Sequence, residues 1–113
     1  MGGRLVSVAA ITAAFLAVSP ARALSFKDIS GKWCTEAGSS EFTEKALIIR
    51  KSDGSRSEVK IDRYDFGDEM ITIFWTRSDK APASTHYTDF SADGGAMAQL
   101  QSDNGPRREF RRC

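Results

Sequence analysis

The chain has 113 residues, with 16 Lys and Arg against 15 Asp and Glu, 41% hydrophobic and 27% charged residues. That is the composition of one ordinary soluble domain, and it excludes multi-domain architectures. Two cysteines, one histidine, nine glycines and three prolines exclude a disulfide-dense knot, a zinc module of standard ligand spacing and a collagen-like or low-complexity chain.

At the N-terminus, Arg4 precedes an apolar run from Leu5 to Val18, and Ser19, Pro20 and Ala21-Arg22-Ala23 follow. The 14 residues of the run fall short of the roughly 20 that a membrane-spanning helix needs. Ala21-Arg22-Ala23 has the small-x-small form of a processing site, so residues 1–23 read as a secretory signal peptide cleaved near Ala23, in preference to an uncleaved anchor. No Cys lies just behind the run to carry a lipid. The expected product is a single domain, residues 24–113, periplasmic or secreted and without a membrane anchor. Cleavage removes Arg4 and Arg22 and no acid, leaving 90 residues with 14 bases against 15 acids. Such a balance gives no footprint for nucleic acid. The one asymmetry is Arg107, Arg108, Arg111 and Arg112, a basic end on an acidic body, which reads first as intramolecular pairing and second as a site for an anionic ligand or partner.

Cys34 and Cys113 are the two cysteines, and in an exported protein they are expected to pair. The pairing makes the ends of the fold neighbours, since disulfide-linked Cα atoms lie within about 7 Å. After a possible short helical turn over Phe26 to Ser30, the hydrophobic period is two. Candidate strands are Gly31 to Glu36, Phe42 to Lys51, Ser57 to Tyr64, Met70 to Arg77, Thr85 to Ser91, Ala96 to Ser102 and Arg107 to Arg112. Turn-forming segments separate them: Ser52 to Ser55, Asp65 to Asp68, Ser78 to Pro82, Ala92 to Gly95 and Asp103 to Pro106. The spacing predicts an all-β antiparallel meander barrel of about seven to eight strands, with the first and last joined by the disulfide.

Alternation along the strands assigns faces. Trp33 opposes Cys34, and Arg112 opposes Cys113 while sharing a face with Phe110 and Arg108. With the disulfide outside, Trp33, Phe110 and Arg112 fall inside, and an interior guanidinium finds a stacking surface on an indole. Arg112, or Arg108 further along the same face, is therefore expected to pack on Trp33.

Gly31-Lys32-Trp33 resembles the G-x-W opening of lipocalins and related calycins, in which a Trp of the first strand packs against an Arg of the last at the closed end of the barrel. The resemblance implies a minimal lipocalin-like barrel. An interior of about eight strands holds side chains or one small ligand. In layout alone the chain is also similar to small bacterial periplasmic inhibitors of lysozyme or of metalloproteases.

No G-x-S-x-G, Gly-rich phosphate loop or H-E-x-x-H is present, and His86 is the only imidazole, on a strand position facing away from Tyr87. No catalytic residue, metal ligand or cofactor is expected. Met70 to Trp75 is apolar on both faces; one face with Ile71, Ile73 and Trp75 is expected under Leu24 and Phe26, or else as an exposed patch that binds a partner or a second copy. Trp75, Phe74, Tyr64 and Tyr87 are the candidate ligand- or partner-binding residues. The leading expectation is a non-catalytic binding protein, monomeric or weakly dimeric, for a small apolar or amphiphilic ligand. It would use the end opposite Trp33 and a cavity lined by residues such as Val59, Ile61, Phe74 and Leu100. The alternative is a protein-partner module, such as an inhibitor of a secreted hydrolase, acting through loops such as Asp65 to Glu69 or Ser78 to Ser84.

Overall fold

A computed structural model describes residues 23–101 and 107–113. Residues 1–22 of the segment read as a signal peptide and the turn predicted over 103–106 lie outside the described residues. A four-residue helix, α1 (Phe26–Ile29), leads into eight strands: β1 (Gly31–Thr35), β2 (Gly38–Phe42), β3 (Ala46–Lys51), β4 (Arg56–Phe66), β5 (Met70–Thr76), β6 (Pro82–Thr88), β7 (Ala96–Gln101) and β8 (Arg108–Arg112). Each strand pairs antiparallel with the next, and β8 pairs with β1, so the sheet closes as a meander barrel. Closure removes the free edges that an open eight-stranded sheet would expose.

The all-β class, the antiparallel meander and the Cys34–Cys113 bond agree with the sequence reading. One strand was not anticipated. β2 (Gly38–Phe42) falls mostly between the first two expected strands, and the expected strand from Phe42 to Lys51 is shortened to β3 from Ala46, because the chain reverses over Thr43-Glu44-Lys45. The Thr43 hydroxyl makes the reversal: it accepts from the Ala46 N–H at 3.0 Å and the Lys45 N–H at 3.3 Å, while the Thr43 N–H donates to the Ala46 carbonyl at 2.9 Å. A threonine-organised turn carries no Gly, Pro, Asn or Asp to announce it. The preceding strand, β2, begins at Gly38 with φ +146°, where a Cβ would run into the Arg50 carbonyl of β3. Gly38 thus permits the close approach of β2 to β3 immediately after a two-residue turn at Glu36 and Ala37.

Two hairpins are built to one plan. At the β3–β4 turn, Lys51 N–H donates to the Ser55 carbonyl, Gly54 N–H to the Lys51 carbonyl, and the Asp53 carboxylate accepts from Ser55 N–H. At the β5–β6 turn, Arg77, Lys80, Ala81 and Asp79 repeat the same three contacts. The left-handed position is Gly54 (φ +94°) in the first and Lys80 (φ +74°) in the second. A side chain is strained there, so Lys80→Gly is expected to stabilise the fold by about 0.5–1 kcal/mol, seen as a higher urea midpoint at unchanged slope.

The register sends one face of every strand inward. Trp33, Phe42, Leu47, Ile61, Ile71, Ile73, Tyr87, Met97 and Phe110 are buried there with Ile29 of α1. A bulge in β4 between Ile61 and Arg63 restores Tyr64 and Phe66 to the inner face, opposite Ile73 and Ile71. On β5 the inward residues are Ile71, Ile73 and Trp75, while Phe74 faces out under the Arg63 guanidinium, 3.9 Å from its ring. Leu100 also faces out, paired with His86. This inverts the sequence-based choice of Phe74 and Leu100 as cavity-lining residues; Val59 and Ile61 do face inward, though of the two only Val59 lines a cavity at the open end, Ile61 being packed in the core.

Candidate ligand site at the open end of the barrel

The two ends of the barrel differ. At one end α1 folds under the strands and acts as a plug. Ser25 N–H donates to the Asp28 carboxylate at 2.7 Å, which starts the helical turn, and Leu24 N–H donates to the Gly67 carbonyl of the β4–β5 turn at 2.8 Å. Ile29 is thereby fully buried, and its carbonyl accepts the Trp33 indole N–H at 2.9 Å. The Arg112 guanidinium stands 3.9 Å from the Trp33 ring centroid. Arg112 is the arginine on Trp33; Arg108 lies at the other end.

The rest of the basic C-terminal cluster is satisfied within the molecule in part. Arg107 pairs with Asp89 at 2.7 Å and with Glu109 at 3.0 Å. These are exposed contacts that contribute little to stability.

The opposite end is open. Inside its mouth is a cavity of about 140 Å³ lined by Leu47, Ile49, Val59, Ile73, Trp75, Thr85, Tyr87 and Gln99. A second cavity of about 230 Å³ lies beside it under the β1–β2 turn; it shares Leu47, Ile49 and Gln99 and adds Thr35, Ser40, Lys51, Arg108 and Phe110 among its walls. The site therefore has an apolar wall from β3, β4 and β5 and a polar wall from β7, β8 and β1. Alternation explains most of the division: apart from Ala37 of the turn and the outward Ser39 and Arg50, which edge the second cavity, the lining residues are the inward ones of their strands, and on β7 and β8 the inward set turns from Met97 and Phe110 to Gln99 and Arg108 towards the mouth. Trp75 is half-buried, with its indole N–H donating to the Thr85 hydroxyl at 3.2 Å and the Arg77 guanidinium 5.8 Å from its ring. The bond fixes the ring against the wall, so the indole face is already in place for a ligand.

The other aromatic candidates are placed differently. Tyr87 is 1% exposed, edge-on to Phe42 and Phe110, and forms the inner limit of the cavity. Burial pushes its hydroxyl far above the ordinary tyrosine range, so it stays neutral. Tyr64 lies at the plugged end, not at the mouth: it is stacked on Phe66, edge-on to Phe26, and donates to the Thr43 carbonyl at 2.6 Å. Desolvation, with the Glu44 carboxylate adding to it, pushes Tyr64 up to about 12. Its ionisation is thus delayed in the folded state. Stability is full below the unfolded tyrosine pKa near 10 and falls as pH rises from there towards 12. The melting temperature is expected to decline over that interval, and to decline less steeply in Tyr64→Phe.

His86 faces outward, its Nδ1 2.8 Å from the Thr72 hydroxyl. Among the described residues, no three of His, Cys, Asp and Glu converge as a metal-ligand group. The loops considered for a protein partner sit at opposite ends: the β4–β5 turn (67–69) beside the plug and the β5–β6 turn (77–81) at the mouth. They cannot share one contact surface. Sequence reasoning missed Leu47, Ile49, Lys51, Thr85 and Gln99 as lining residues, although alternation from Trp75 and Val59 would have reached them once β2 and β3 were separated.

Comparison with known protein families, curated proteins and solved structures gives no match for this chain.

Proposed function

We propose that the protein is an exported, non-catalytic binding protein of minimal lipocalin-like form, which holds a small apolar or amphiphilic molecule in the open end of its barrel. The observation that carries this reading is the cavity beside the half-buried Trp75 together with the one adjoining it under the β1–β2 turn, with an apolar wall on one side and a polar wall on the other. Ligand sites commonly combine such apolar lining with a few placed polar groups. The size limits the ligand: an apolar cavity of ~150 Å³ accepts a molecule the size of benzene, so the occupant is a short chain or single ring. Export is supported by the Arg4-to-Ala23 segment and by the disulfide, which persists in oxidising compartments.

Octan-1-ol is a suitable probe because it is short and uncharged. Titration is expected to change the emission of Trp75 saturably, and the change is expected to vanish in Val59→Phe, whose larger side chain fills the apolar wall, and in Trp75→Phe. Trp33, sealed at the far end, supplies an unresponsive internal standard. Native mass spectrometry of protein from its own host tests the same reading without a chosen probe: the expected mass is that of residues 24–113 plus a retained small molecule. No response to octan-1-ol, together with an empty native protein, would remove the open-end reading.

A further inference from the structure

The charges lining the open-end cavities are of one sign, although the turns around the mouth also carry Glu36, Asp53 and Asp79. The described residues lining the two adjoining cavities include three bases, Arg50, Lys51 and Arg108, and no acid. Arg50 is already matched, 3.2 Å from Glu41. Lys51 and Arg108 have no ion-pair partner among the described residues. Both belong to the inward-facing set: Lys51 continues the series Leu47, Ile49 on β3, and Arg108 continues Phe110 on β8. Both are also exposed. Each therefore stands on the rim, with its aliphatic stem over the apolar lining and its charge in water.

From this placement we infer that the ligand is an anionic amphiphile, a short chain or ring ending in a carboxylate, whose apolar part lies against Ile49, Val59 and Trp75 and whose anionic head meets Arg108 and Lys51 at the rim. The inference rests on the open-end binding reading and adds the ligand's charge to it. A head group at the rim keeps contact with solvent, which avoids the cost of burying a charge, while the guanidinium of Arg108 offers a carboxylate two parallel donors. The apolar part needs no polar partner below. The 140 Å³ of the inner cavity, continued by the adjoining 230 Å³, suits a single unbranched chain that runs from one into the other.

Octanoate and octan-1-ol share a tail and differ in the head, so their ratio of affinities isolates the rim contribution. Read by Trp75 emission at low salt, octanoate is expected to bind the full mature protein roughly three- to tenfold more tightly than octan-1-ol, with the advantage shrinking as salt is raised. Arg108→Gln is expected to lower the ratio, and Arg108→Gln combined with Lys51→Gln to bring it to near one; Arg108→Lys, which keeps the charge, retains part of the preference. Equal binding of the two probes by the wild type, or a ratio unchanged in Arg108→Gln, overturns the anionic assignment and leaves the open-end site standing. Failure of both probes to bind overturns the site itself and the assignment with it.

Discussion

Replacing Cys34 and Cys113 by serine is expected to lower the melting temperature by more than 15 °C, and reductant is expected to do the same to the unaltered protein. The bond spans 79 residues of sequence, and a loop of that length is worth about 4–5 kcal/mol in the chain-entropy treatment of cross-links. A domain of this size has a total stability of only about 5–13 kcal/mol. For domains of 60–100 residues each kcal/mol shifts the midpoint by roughly 4–8 °C, which gives the expected fall.

The location of the bond adds to the argument. β1 meets β8 through only two register pairs, Trp33 with Arg112 and Cys34 with Arg111, whereas β1 meets β2 through five. The seam that closes the barrel is its shortest ladder, and the covalent link holds it there. β8 keeps four pairs with β7, so the reduced protein retains the hairpin and loses mainly the seam. Amide exchange in the reduced protein should therefore rise first in β1 and β8. A drop in midpoint of less than 5 °C would show that the seam holds without the cross-link.

How much of this was legible follows from where the residues carry a phase. Cys34 and Trp33 are adjacent, so the exclusion of a disulfide from the core fixed Trp33, and with it Phe110 and Arg112, as inward. β5 has no such marker. Met70, Ile71, Thr72, Ile73, Phe74 and Trp75 offer apolar groups to both sides, and the inward choice is made by the partners: Tyr87 across from Ile71, and Thr85 across from Ile73. The bulge between Ile61 and Arg63 shifts phase within β4, and nothing local to Asp62 announces it. Thr43 turns the chain through a side-chain hydroxyl, which hid β2. These features account for Phe74 being taken as lining and Leu47 and Ile49 not; on β7 the inward position is the polar Gln99 beside the outward Leu100, so hydrophobicity alone points to the wrong one of the two.

Arg112→Ala is expected to cost about 2–4 kcal/mol, from charge-assisted hydrogen bonds worth roughly 1.5–3 kcal/mol each and a cation–π contact of about 0.5–2 kcal/mol, reduced because water replaces part of what is lost. The guanidinium gathers three carbonyls that nothing else reaches in the described structure: Ser30 at 2.6 Å, Gly94 at 3.2 Å and Asp28 at 3.3 Å. Two of these belong to the C-terminal end of α1, where unpaired carbonyls and a cation suit one another. The third fastens the β6–β7 loop to the same point, and the ring of Trp33 forms the floor. One side chain thus joins the plug, a loop, the first strand and the last. Arg112→Lys keeps the charge but cannot span three acceptors while lying flat on an indole, so it should recover less than half of the loss. The stacking share is separable by a double-mutant cycle with Trp33→Leu, which removes the aromatic face together with the indole hydrogen bond to Ile29 but leaves the arginine's carbonyl contacts. A coupling above about 0.5 kcal/mol between the two changes assigns that share to the Trp33–Arg112 contact, and strict additivity would place the whole effect of Arg112 in its hydrogen bonds. Ligand affinity at the open end should be indifferent to both substitutions in molecules that remain folded, because the plug and the mouth are separated by the buried layer of Phe42, Ile71, Tyr87 and Phe110.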